Sequence, residues 1–120
     1  MKNSFFHIIL FSFVFTSCAY DSESDLIDSK ELPNVVTYNG HIKNIIDNNC
    51  IICHTNPPVN DAPMSLLLYE NVKEAIENRG LIDRISSQDL GFLMPFGGPR
   101  LPQHLIDIII KWEIDGLLEE

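Results

Sequence analysis

Cys50-Ile51-Ile52-Cys53-His54 sets two thiols and an imidazole within five consecutive residues. Thiols three residues apart lie on one helical turn, so each can bond one vinyl group of the same porphyrin. The adjacent imidazole then stands beneath the iron as an axial ligand. No ordinary side-chain chemistry needs this pattern, and it predicts one covalently attached haem. The fold follows from the same reading: short helices packed around the ring.

The remaining cysteine agrees with that assignment. Of the three cysteines, Cys18 closes an apolar stretch near the amino terminus. Lys2 supplies a positive start, Phe5 to Phe15 are mostly aromatic and aliphatic, and Ser17 is the small residue before Cys18. This predicts a secretory signal over 1–17, too short to span a bilayer as a helix. Phe15-Thr16-Ser17-Cys18 resembles a bacterial lipobox, with Phe15 where leucine is usual, so Cys18 is expected to carry lipid. An ordinary signal peptide cut near Cys18 or Ala19 is the alternative, but it leaves an odd thiol on an exported protein. One cysteine is then lipidated and two bind haem, with none left for a disulfide. The expected location is a bacterial membrane, facing the periplasm or the cell surface, where haem attachment takes place.

The chain after Cys18 is long enough for one small domain, whose modest core would gain from a prosthetic group at its centre. The formal charge is −9, with no basic cluster, which argues against nucleic acid as a partner. An acidic surface suits a basic redox partner, and it also serves plain solubility. Asp21, Glu23, Asp25, Asp28 and Glu31 lie among serines with the single base Lys30. Such a stretch cannot bury enough apolar surface to fold, so 18–35 reads as a tether and 36–120 as the domain.

Within the domain, Ile42, Ile45, Ile46 and Cys50 recur at spacings of three and four, predicting a helix from about Gly40 into the attachment motif. Thr55 to Pro63 is a proline-rich loop. A second helix is expected from Leu66 or Tyr69 to Asn78, with Val72, Ala75 and Ile76 inward and Gly80 as its left-handed cap. Leu81, Ile82 and Ile85 suggest a short third helix. Gly91 to Pro102 is a Gly/Pro loop around Met94. A last helix runs from Pro102 to about Asp115, with Leu105, Ile106, Ile108, Ile109, Ile110 and Trp112 forming a broad apolar face. No stretch alternates as a strand. The fold class expected is all-α, with about four short helices around the haem.

The sixth iron position decides the chemistry. A thioether there raises the reduction potential and blocks substrate access, whereas an open position permits gas or peroxide chemistry. Met94 leads: it lies forty residues after His54, far enough to reach the opposite haem face, on a loop stiffened by Pro95. A core methionine filling a gap is the plain alternative. Met64 competes but lies only ten residues past His54. His41 and His104 are the bis-histidine alternatives, each near a helix start. The second nitrogen of His54 needs a hydrogen-bond partner, for which the carbonyl of Pro57 or Pro58 is expected. Arg84 and Arg100 are candidates for the propionates, or else solvated arginines. Trp112 is expected to pack where the first and last helices meet.

With these residues in place, the chain resembles the monohaem class I cytochrome c family, and within it small bacterial domains. The likeness runs from about Tyr38 to Gly116. It rests on Ile42, Ile45, Ile46, Cys50, Cys53, His54, Met94, Pro95, Gly97, Gly98, Leu101, Pro102, Trp112 and Gly116. The resemblance implies crossed first and last helices, one haem c with its iron held by His54 and Met94, and one-electron exchange with redox partner proteins. Mitochondrial-type members carry glycine eight residues and an aromatic four residues before the first haem cysteine. Ile42 and Ile46 stand there instead, implying a less close crossing.

The expected role is therefore an electron carrier rather than an enzyme. A haem-bearing subunit that feeds electrons into a larger oxidoreductase is the alternative. A stand-alone peroxidase lacks a distal acid/base pair. A zinc module using Cys50, Cys53, His54 and a distant histidine is disfavoured, because adjacent Cys53 and His54 would struggle to converge on one tetrahedral metal.

Overall fold

The computed structural model describes residues 31–120. The expected signal segment, Cys18 and most of the acidic stretch lie outside them. Among the described residues every regular element is helical. None of these helices is long and apolar enough to cross a membrane.

The first helical run opens as a π turn, Tyr38–Ile42, and continues without a break into α1, Lys43–Asn49. Thr37 is extended, and its hydroxyl accepts the Gly40 N–H at 3.2 Å, a side-chain cap at the amino end. Ile42, Ile45 and Ile46 are buried as their spacing requires. The start differs from the expectation: the run begins two residues earlier and more widely wound. Its cause is tertiary. Tyr38 N–H donates to the Leu118 carbonyl at 2.8 Å and Asn39 N–H to that of Glu119 at 3.0 Å, so this stretch is fixed from outside the helix.

α2, Tyr69–Arg79, buries Val72, Ala75 and Ile76. Gly80 (φ +62°) caps it in the left-handed region, and α3, Leu81–Ser86, starts at once. One glycine therefore ends one helix and sets the direction of the next. α4, Gln103–Ile114, begins one residue later than expected, because Pro102 stays extended (ψ 139°) immediately before it. Its face divides: Ile106, Ile109 and Trp112 are buried, whereas Leu105, Ile108 and Ile110 pack against the core half-buried.

α4 is the central element, packing on both the π turn and α3, while α3 also packs on α2. Trp112 is fully buried beside Tyr38 and Tyr69, at ring-centroid distances of 5.9 and 6.2 Å. Its indole N–H donates to the Leu118 carbonyl at 2.8 Å, and the Tyr69 hydroxyl to that of Leu117 at 2.8 Å. The expected packing of Trp112 between the first and last helical runs is thus found, with a third aromatic added. Burying such a side chain stabilises the fold by about 2–3 kcal/mol, and the hydrogen bond keeps its one polar atom satisfied.

Candidate cofactor site

The helices leave a cavity of about 890 Å³ between the Cys50–His54 turn, the α2–α3 joint and the Met94 loop. That is near the upper end for small-molecule and cofactor sites, about 300–1,000 Å³. Cys50, Cys53, His54, Met64 and Met94 all line it.

Local hydrogen bonds fix the Cys50–His54 turn. Cys50 N–H closes α1 on the Ile46 carbonyl at 2.8 Å, and His54 N–H returns to the Cys50 carbonyl at 3.0 Å. The helix itself ends at Asn49, short of the expected run into the motif, and Cys50–His54 form a hydrogen-bonded turn in which both thiols are free and half-buried. Burial pushes the Cys50 thiol up to about 11. The Asn60 side-chain amide lies 3.4 Å from Cys53 Sγ, donating to it from a left-handed turn at Asn60 and Asp61.

The His54 ring is oriented by Met64. Its Nδ1 lies 2.8 Å from the Met64 carbonyl, which can only accept, so Nδ1 carries the proton. Nε2 is left with its lone pair, the tautomer a metal ligand needs. This corrects the expected partner, the carbonyl of Pro57 or Pro58. Leu66 N–H donates to the His54 carbonyl at 2.8 Å, drawing the chain after Pro63 against the histidine and setting the Met64 carbonyl beside the ring. No sequence signal marks this acceptor, since every residue carries a carbonyl.

Met94 reaches the same cavity from the loop after α3. Its N–H donates to the Arg84 carbonyl at 3.1 Å, and buried Leu93 precedes it with its own N–H on the Asp89 carbonyl at 2.7 Å. Gly97 (φ +70°) turns the chain after Pro95 and Phe96. Ile52 and Phe96, 80% and 76% exposed, also line the cavity. Two large apolar side chains left in water at a cavity wall are what a bound apolar ring would cover.

His41 and His104 lie elsewhere. They line a separate pocket of about 150 Å³ with Ile108 and the Glu31–Pro33 segment. The His41 Nδ1 there accepts the Thr37 N–H at 3.2 Å. The bis-histidine alternatives are therefore not brought to the cavity that holds His54. Arg100 is also remote from it, donating to the Ser86 carbonyl at 3.2 Å and to Gln103 Oε1 at 2.7 Å. Arg84 does line the cavity, and so does Arg79 in the last turn of α2, a residue that no sequence pattern singles out. Among the described residues no three His, Cys, Asp or Glu side chains are grouped to hold a metal ion.

The residues present suit a covalently held haem: two free thiols on one turn, an imidazole whose Nδ1 is already paired, and a thioether, all lining one largely apolar cavity. Comparison with protein families, with curated proteins and with solved structures finds no match.

Proposed function

We propose that this chain is an electron-transfer monohaem cytochrome c with a cytochrome c-like helical fold. It is anchored by lipid on Cys18 to an exported membrane face and exchanges electrons with redox partner proteins. The observation that carries the reading is one cavity lined by Cys50, Cys53 and His54 together with Met94, forty residues further along the chain.

Each residue has a defined task. The thiols of Cys50 and Cys53, both free, would hold a porphyrin through thioether links to its two vinyl groups, each sulfur taking one vinyl carbon and its proton the other, with no oxidant required. His54 would offer Nε2 to a haem iron, while the Met64 carbonyl holds the ring by its other nitrogen. Met94 would offer its sulfur as the second iron-binding group. An iron held in this way would supply one-electron chemistry between its ferrous and ferric states. The backbone position of Met64 supports this division of labour. Its carbonyl engages Nδ1, so Nε2 is the nitrogen that would face a metal, and the segment carrying Met64 is occupied in holding the histidine.

Production of the full chain in a bacterium with working haem-attachment machinery tests the proposal. The expected product carries the mass of one haem that survives acid–acetone extraction, and it cycles reversibly between oxidised and reduced spectra. A colourless chain of unmodified mass from the same host would refute it.

A further inference from the structure

Charge in the cavity wall runs against the charge of the molecule. The chain as a whole is at −9, yet the charged residues lining the cavity are Arg79, Arg84 and Asp61. The two arginines flank Gly80, the joint of α2 and α3, so the same left-handed turn brings both to one wall.

Neither guanidinium has all its N–H donors engaged among the described residues. Arg84 stacks over the Phe92 ring at 4.6 Å, which holds its plane. Its side chain makes no ion pair or hydrogen bond to another described residue. Arg79 uses only its Nε, on Glu74 Oε1 at 2.9 Å, in an exposed pair that contributes little. Its terminal nitrogens are left over. A planar fork of N–H donors matches a carboxylate better than any other cation does.

We propose that Arg79 and Arg84 receive the two propionate carboxylates of the haem. This assignment rests on the reading above. The vinyl-derived and propionate edges of the porphyrin lie opposite one another. A ring tied by one edge at Cys50 and Cys53 therefore turns its carboxylates to lining residues outside the attachment turn, and Arg79 and Arg84 are the cations there. Arg84 has a second link: its backbone carbonyl receives the Met94 N–H, so carboxylate pairing and the placement of the sixth ligand meet at one residue.

The test compares reduction potentials of the matured full chain as wild type, R79Q, R84Q, the double variant and R100Q across pH. The main-chain bond from Met94 survives R84Q, so the sulfur-to-iron band should persist and report intact ligation. Loss of the positive charges should lower the potential. It should also make the potential fall with rising pH through the range of an unpaired carboxylate, roughly pH 4 to 6, where wild type stays flat. R84K should restore part of the wild-type level, and R100Q should match wild type. A double variant whose potential tracks wild type at every pH overturns the assignment. Should R84Q not fold, R79Q, altered at an exposed side chain, decides by the same criterion. Wild type without attached haem would instead sink the functional reading itself.

Discussion

At the scale of the residue, the site divides into groups with a side-chain signature and groups without one. Cys50, Cys53, His54 and Met94 are legible in the sequence because thiol, imidazole and thioether are rare and chemically specific. The Met64 carbonyl is not, because its role comes from where the chain turns. Met94→Ala should abolish the weak near-red sulfur-to-iron band of the oxidised protein and let the reduced form bind carbon monoxide. Met64→Ala should keep the band, since its backbone carbonyl remains on His54. Optical spectra of both variants check this. A second outcome concerns the haem-free chain, where burial sets the Cys50 thiol at about 11. The thiolate is the nucleophile, so at neutral pH Cys50 should alkylate about 100-fold more slowly than a free cysteine. Its rate should rise about tenfold per pH unit toward that value. Peptide-mapped iodoacetamide labelling measures both.

Among the elements, the three- and four-residue spacings located all four α-helices, because each has one face to bury and that face is written in Ile, Val, Leu and Trp. Where one residue decides the conformation, the sequence was also clear, as at Gly80. A Cβ there would meet nothing closer than Asp83 Oδ2 at 3.6 Å, so Gly80→Ala carries only the backbone cost of φ +62°. The expected loss is about 1–2 kcal/mol in urea unfolding, and smaller for Gly80→Asn, which tolerates that region better. The π turn was illegible for the converse reason. Its amino end is held by the carbonyls of Leu118 and Glu119, a pairing with Tyr38 and Asn39 that leaves no local pattern. Likewise, no periodicity tells that Arg79 and Arg84, rather than Arg100, share a wall.

For the whole molecule, acid resistance should depend on how the first described segment is tied to α4. Asp115 accepts a hydrogen bond from Lys111 at 2.9 Å and from the Val36 N–H at 2.8 Å. The Lys111 bond first, and the Val36 bond next, hold its carboxyl below the ordinary carboxylate range. A group whose pKa is lower folded than unfolded stabilises the fold above its unfolded value and loses that contribution as pH falls through the folded one. Stability should therefore decline below about pH 4, and Asp115→Asn should be less stable near neutrality with a flatter acid limb. Thermal melts across pH provide the measurement. The same ties have a mechanical meaning. A pull transmitted from upstream of Glu31 arrives at Val36, Tyr38 and Asn39, which are latched to Asp115, Leu118 and Glu119. Tension would be shared between these latches before it reached the Cys50–His54 turn, so a pull on the amino-terminal side need not disturb the residues proposed to grip a metal.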